Sequence, residues 1–498
     1  MSAGLLLGID DGTTAVKAAL FDCELRQLAL ARRAVPVSHP RPGWVEQDPE
    51  LIERAVVDAV AEALESAEGR EIIAAGLDHQ GESVLGWDAD GGRALTPVIV
   101  WQDKRQEPLL AGIDAHAVER SGLPLDPYFS AGKLAWLLAH DAAVREAEKR
   151  GTLRLGTIDA FLTDRLGGRF ATDLSTASRT QLLAHGGRDW DEQLLSAFGV
   201  RREWLPQLGP TFGLLGELAH ERWPAALPLR AQLVDQQAAL AGSGATRPGE
   251  LKATYGTGVF VLGRTQGPAQ TDLAAGTGGL LPTVAWAAPD ATGGVGEVAH
   301  ALDGGVFAAG SLLDWLSQGL GLARDAPALA AAAAAVPDSA GVMVLPALSG
   351  LGAPWWLPRA RAVIAGLHPG VGAAHVGREA LEAIAWRVAD IVEAMARLTP
   401  VRSVRVDGGL TDDPTLLQIQ ADALGLPLLV ASPDATVLGA AMLAGVGAGM
   451  FASVEDAALH LPRGRTIEPD DDTPARARRR ERWRAFVQAS ADLAGAEP

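Results

Sequence analysis

LLLGIDDGTTAVKAALFD, residues 5–22, decides the fold. An apolar run of strand length delivers Asp10 into a tight turn of Gly12, Thr13 and Thr14, and a second apolar run at residues 18–21 carries the chain back. Such a turn aims backbone N–H groups and two hydroxyls at one point. It suits a phosphate, with Asp10 placed to hold Mg2+ through water and Lys17 to meet a transferring group. The same residues also describe an ordinary hairpin with a capping aspartate. Outward from this hairpin, a helical period over residues 49–66 is followed by strand-like runs at 72–77 and 98–100, an α/β pattern.

Residues 141–227 are richer in helical spacing and loops, with Thr157 and Thr172 as caps, and read as an insertion carrying substrate contacts. The Gly/Pro-rich GSGATRPGE, residues 242–250, then marks a crossing between domains, predicting one domain over 1–245 and a second over 246–498. The second opens on LKATYGTGVFVL, residues 251–262, whose YGTG turn echoes the DGTT turn of the first. Two homologous halves, or two unrelated hairpin turns, would both give this echo. Gly256 and Gly258 flank Thr257 without side chains, so backbone there can approach a ligand closely. VRVDGGLTDDP, residues 404–414, is a strand ending in glycines before a helix, a nucleotide position in an open α/β sheet or simply a helix entry that needs glycine. In AQLVDQQAALAG, residues 231–242, Asp235 follows an apolar strand and opens a helix, either as its cap or as a general base for phosphoryl transfer.

Composition narrows the partners. With 498 residues and 48% hydrophobic content, the chain is long enough for two cores. The net charge of −18, with no basic run longer than Arg478 to Arg480, repels phosphate backbones and anionic lipid, so no nucleic acid and no membrane is expected as a partner. Cys23 is the only cysteine, which excludes an internal disulfide framework or a multi-cysteine metal site and fits a reducing cytoplasm. The N-terminus lacks a basic region before its apolar run, unlike a secretory signal, and the Ala-rich stretch 328–336 is far short of the ~20 residues of a membrane span.

Nine motifs occur in order: DDGTT (10–14), GWVEQDP (43–49), VWQDKR (100–105), DPYFSAGKLAWLL (126–138), TDLSTASRT (172–180), DQQAAL (235–240), TYGTG (254–258), PALSGLGAPWW (346–356) and VDGGLTDDPTLLQIQADALG (406–425). Together they resemble the FGGY family of carbohydrate kinases, and within it the glycerol kinase branch, over about residues 5–450. The resemblance implies two actin-like ribonuclease-H-type domains with ATP, Mg2+ and a small polyol or sugar in the cleft between them. It implies Asp235 as catalytic base, Asp10 as the magnesium-linked aspartate, Thr13, Thr14 and Thr257 as phosphate contacts, and Gly310, Gly409 and Asp413 as nucleotide contacts. Polyol contacts map to Glu82, Trp101, Tyr128, Asp235, Gln236 and Phe260. Glycerol is the first acceptor implied, a larger polyol or ketose the second, and an actin-like ATPase switch the alternative of another class. A homodimer or homotetramer is compatible with this reading, and a basic terminal helix at 475–493 serves as a packing arm or a subunit contact, with packing the simpler reading.

Two departures bear on the acceptor and on regulation. Glycerol kinases carry an arginine just before the glutamate matched by Glu82, and here that position is Gly81, so a five-donor guanidinium is lost unless a residue such as His79 or Lys104 replaces it. HERWPAALPLRAQLV also lacks the glycine-rich loop with which some bacterial glycerol kinases bind fructose bisphosphate, so that feedback is not expected. A dinucleotide pattern at Gly294, Gly296 and Ala299 follows no strand, and the Gly132-Lys133 pair lacks the other marks of a phosphate loop.

Overall fold

The computed structural model describes residues 4–269, 279–470 and 473–495. The opening stretch forms strands β1 (Leu5–Asp11) and β2 (Ala15–Phe21), antiparallel, followed by β3 (Gln27–Ala34). Every residue of β1 is buried, as its unbroken apolar run requires of a strand covered on both faces. Helix α1 (Pro49–Glu65) starts at Asp48, whose carboxylate accepts the Glu50 N–H, with proline in the first turn. Strand β4 (Ile72–His79) then lies parallel to β1, and β5 (Phe212–Leu218) and β6 (Leu227–Val234) complete a sheet of order β5-β6-β4-β1-β2-β3.

The second half repeats this plan. Strands β7 (Glu250–Tyr255), β8 (Val259–Arg264), β9 (Leu281–Pro289), β10 (Val295–Val306), β11 (Ser403–Asp407), β12 (Leu428–Val430) and β13 (Thr466–Ile467) form a sheet of order β9-β10-β8-β7-β11-β12-β13. Three antiparallel strands followed by two parallel ones, β3-β2-β1-β4-β6, recur as β10-β8-β7-β11-β12. The echo between the two Gly-Thr hairpins is thus part of a structural repeat.

Helix α2 (Asp235–Gly242) follows the first sheet and α5 (Ala435–Gly447) the second, and the two cross in close contact. Between them run α3 (Ala373–Ala396), which packs on the second sheet, and α4 (Pro414–Leu424). The C-terminal helix α6 (Thr473–Gly495) is fastened to α3: Trp483 is fully buried and Arg480 pairs with Asp390 and Glu393. Of its basic start, Arg480 serves this packing, while Arg478 and Arg479 are exposed.

The insertion lies elsewhere than expected. It begins directly after β4 and ends before β5, which belongs to the central sheet; Val84–Asp88, Val98–Ile99 and Leu153–Thr157 from the insertion form a small sheet with Glu46–Gln47, a strand that precedes β4. β5 pairs antiparallel with β6, and the long-range parallel pairing of β6 with β4, invisible to local spacing, draws both into the central sheet. Thr157 occupies the cap position of helix Ile158–Gly167 without a side-chain cap bond. Thr172 is no cap: its hydroxyl donates to Asp159 at 2.6 Å, and the adjacent Asp173 carboxylate accepts the Ser175 and Thr176 N–H groups instead. A charged acceptor outcompetes a hydroxyl there. The glycines at 293–296 sit on the β9–β10 hairpin and in β10, far from a helix N-terminus.

Candidate active site

Strand ends and helix starts converge on one cavity with about 510 Å³ of empty space, part of it open to solvent. β4 delivers the loop of Gly81 and Glu82, with Glu82 at a left-handed φ of 59° that aims its carboxylate inward. β6 ends at Val234, and α2 begins with Asp235 and Gln236, so side chains at a sheet edge and a helix N-terminus share one wall. Phe260 and Leu262 come from β8, Thr283 from β9 and Asp303 from β10. Trp101 and Tyr128, from the insertion, meet edge to face at 5.7 Å, and Trp101 meets Phe260 at 6.5 Å. The resulting surface alternates carboxylates and an amide with aromatic faces, which is what a polyol presents hydroxyls and C–H faces to.

Asp235 keeps one edge open to this cavity. Its Oδ1 accepts the Gln236 N–H at 2.6 Å. Burial, then the charges of Asp10 and Glu82, lift its carboxyl to about 7, with Lys252 and the backbone N–H pulling the other way. A carboxyl poised there can take a hydroxyl proton near neutrality. Gln236 is held by Lys252, whose Nζ donates to its Oε1 at 2.7 Å. Thr13 links the cavity to the first Gly-Thr turn: its hydroxyl accepts the Trp101 indole N–H at 3.0 Å, and Gln47 holds its carbonyl at 2.8 Å. Lys133, also buried, caps three successive carbonyls of Pro127, Tyr128 and Phe129, which fixes the Tyr128 ring in place. Burial draws the Lys133 ammonium down to about 7.

Around the first turn, Lys17 lies 3.7 Å from Asp10 and 3.3 Å from Asp434, at the start of α5, so it spans the two halves. Asp78 pairs with Asp10 in register on the parallel strand β4. Burial, and then the charge of Asp10, hold the Asp78 carboxyl well above the usual range. Thr14 is exposed at the turn. The second turn is clasped to a helix start: the Thr257 carbonyl accepts the Ala309 and Ser311 N–H groups at 2.9 and 3.1 Å, and a Cβ at Gly310 would sit 2.8 Å from the Gly256 carbonyl. Thr257 and Gly310 therefore share one cradle. Gly408, at φ 96°, passes 2.3 Å (measured to a hypothetical Cβ) from the Tyr255 carbonyl, while nothing stands within 4 Å of that position on Gly409. Asp413 spends one oxygen on the Thr415 N–H as the cap of α4.

These cradles fit a nucleotide tail: exposed threonines, glycines without side chains, and a buried Asp407 oxygen with no partner. Among the described residues, no group of three or more His, Cys, Asp or Glu side chains is arranged to hold a metal.

Sequence reasoning missed Arg179, Val234, Gln237, Leu262, Thr283 and Asp303 as lining residues. Arg179 lies in the TDLSTASRT motif but carried no local sign of its direction, and Asp303 sits mid-strand in no motif at all. Neither His79 nor Lys104 replaces the guanidinium absent at Gly81. His79 is fully buried between the Gln80 carbonyl and Thr176, and Lys104 is exposed. The guanidinium at this cavity is that of Arg179, whose Nε donates to Glu82 at 2.7 Å and whose Nη2 lies 3.0 Å from Asp303.

The N-terminal domain model of the FGGY family of carbohydrate kinases matches residues 5–242, and the C-terminal domain model residues 251–448. A glycerol kinase of Citrifermentans bemidjiense is 40% identical over 499 residues, covering 97% of this chain and 98% of that protein. Among solved structures, Plasmodium falciparum glycerol kinase with ADP superposes with a TM-score of 0.90 at 28% identity, covering 98% of each chain. A Brucella ovis xyloylose kinase superposes with a TM-score of 0.86 at 26% identity, over 98% of this chain and all of that one.

Proposed function

Since the chain belongs to the FGGY family of carbohydrate kinases, we propose that it transfers the terminal phosphoryl group of ATP to a hydroxyl of glycerol, yielding glycerol 3-phosphate. One observation carries the acceptor side of this reading: Asp235, with its carboxyl near 7, stands in a cavity that also holds Glu82, Gln236 and the Trp101–Tyr128–Phe260 aromatic set. A switch-type ATPase needs no such acceptor pocket. The two Gly-Thr turns, carrying Thr13 and Thr14 on one side and Thr257 beside Gly310 on the other, bind and align the phosphates. Gly409 leaves room for the nucleoside. Mg2+, held through Asp10, would neutralise charge on the transferring group and its oxygens. Lys17, beside Asp10, adds a positive charge at the same point.

In this reading Asp235 orients the acceptor hydroxyl and takes its proton as the oxygen attacks. Because the phosphoryl transition state is loose, alignment and charge neutralisation supply most of the rate, and the base about 10²- to 10⁴-fold. The lone cysteine supports a reducing, cytoplasmic setting.

A coupled assay of ADP release with Mg–ATP against glycerol, erythritol, xylitol, xylulose and gluconate tests the assignment. Glycerol should be preferred, and Asp235→Asn should lose 10²- to 10⁴-fold in kcat while its affinity for ADP stays within about twofold. ADP release that no acceptor stimulates, or near-normal turnover in Asp235→Asn, would overturn it.

A further inference from the structure

The acceptor cavity contains an unfinished polar pair. Arg179 and Asp303 are buried, 3% and 6% exposed, and face each other through Nη2 and Oδ2 at 3.0 Å. Each has an atom left over. Arg179 Nη1 and Asp303 Oδ1 are both buried without a hydrogen-bond partner, although both residues line the cavity. Buried charged groups seldom leave such capacity unused, because the lost hydration goes uncompensated. A ligand atom that accepts from Nη1 and donates to Oδ1 satisfies both at once. A hydroxyl does this; a carboxylate has no proton for Asp303 and an ammonium has no lone pair for Arg179.

Gly81 closes the other route to a donor. A Cβ at position 81 would stand 2.8 Å from Val234 Cγ1, so Val234 fills the space a side chain at 81 would leave through. Arg179 arrives instead from the turn after helix Leu174–Ala177, with its Nε fixed by Glu82 at 2.7 Å and its guanidinium 5.7 Å from the Tyr128 and Phe129 rings. Asp303 comes from β10 of the second sheet, in register with Leu262 and Leu281. The pair thus joins the two halves of the molecule across the cavity.

From this geometry we infer that Arg179 Nη1 and Asp303 Oδ1 form a hydroxyl subsite that grips a non-reacting hydroxyl of the acceptor and sets specificity for a polyol over its deoxy analogues. This inference rests on the polyol kinase reading. It adds to it a pair of residues, one from each half, that reads the acceptor away from Asp235.

The experiment compares kcat/KM for glycerol, 1,2-propanediol and 1,3-propanediol, each diol lacking one hydroxyl, in the wild-type protein and in Asp303→Asn. In that variant the amide oxygen answers Arg179, leaving an NH2 beside Nη1 where an acceptor is needed. Wild type should favour glycerol over one of the diols by about 10- to 100-fold, the range for a hydrogen bond to a charged group. Asp303→Asn should shrink that ratio toward one, chiefly through KM, with ADP affinity unchanged. Asp303→Glu, which keeps the charge but displaces it, should do the same and stands in if the amide variant does not fold. A purely structural ion pair would depress all three acceptors equally, and that outcome overturns the inference. If wild type shows no turnover of glycerol, the kinase reading fails on its own, and calorimetric titration of glycerol into both proteins decides the subsite: weaker binding to Asp303→Asn supports it, and equal or absent binding overturns it.

Discussion

Asp235 sits where two demands conflict. Burial and the neighbouring charges of Asp10 and Glu82 raise its carboxyl to about 7, which disfavours the ionised form that a base needs. The sign of the pH dependence follows. The base works ionised, so kcat/KM should rise with pH through about 7 and level off above it. Lys252 pulls the value down, so Lys252→Met should move this acid limb to higher pH, a shift that a pH–rate profile reads directly. Stability runs the opposite way. Between the ordinary aspartate value and 7 the unfolded chain ionises first, so the native state loses stability as pH rises through that window and keeps the deficit above it. Asp235→Asn should therefore be more stable than wild type at pH 8, on the order of a few kcal/mol, and no different at pH 3. Equal denaturation midpoints at pH 8 would remove the burial argument. The position of Asp235 at a strand end and helix start was legible in sequence because the three are contiguous there, while its role as base was implied by the family resemblance and not by that spacing. Arg179 and Asp303 were not legible, because their direction is set by partners distant in the chain, and only the packed structure reveals which atoms remain unpaired.

Among the elements, the crossing of α2 and α5 is built from absent side chains. A Cβ on Gly439 would lie 1.8 Å from the Ala238 carbonyl, and one on Gly242 would lie 1.9 Å from the Ala435 carbonyl. The same helix α5 presses on the first sheet, where Cβ atoms on Gly8 and Gly76 would meet the Val437 and Ala440 carbonyls at 2.2 and 2.1 Å. α5 is buried on nearly every side, so its ATVLGAAMLAGVG sequence lacks the polar face of a surface helix. Small residues in a buried helix signal close backbone approach, but not which backbone. Gly439→Ala must push the two helices apart and should cost at least the 1–3 kcal/mol typical of overpacking, seen as a lower urea midpoint. Gly372→Ala, with nothing within 4 Å of the added carbon, is the comparison. If both variants unfold at the same urea concentration, the crossing is not the tight joint that its geometry describes.

For the whole molecule, the repeated sheet plan places one Gly-Thr turn on each half, and the two halves touch through contacts of several kinds. α2 and α5 interlock as a joint, Lys17 reaches Asp434, and Arg179 meets Asp303 across the acceptor cavity. The hairpins that open each sheet were readable because their strands are adjacent in sequence. The β6–β4 and β12–β11 pairings were not, since parallel neighbours depend on burial by the whole fold. A molecule whose halves meet at a backbone joint and at a ligand-completed polar pair should close when both substrates are present. Closure would also exclude water, so ATP hydrolysis without acceptor should be slow relative to transfer. Small-angle scattering should give a smaller radius of gyration with Mg–ADP and glycerol together than with Mg–ADP alone, and Asp303→Asn should weaken the response to glycerol because the acceptor no longer bridges the halves. Identical scattering in all ligand states would mean that the cleft is fixed and that selectivity resides in the pocket alone.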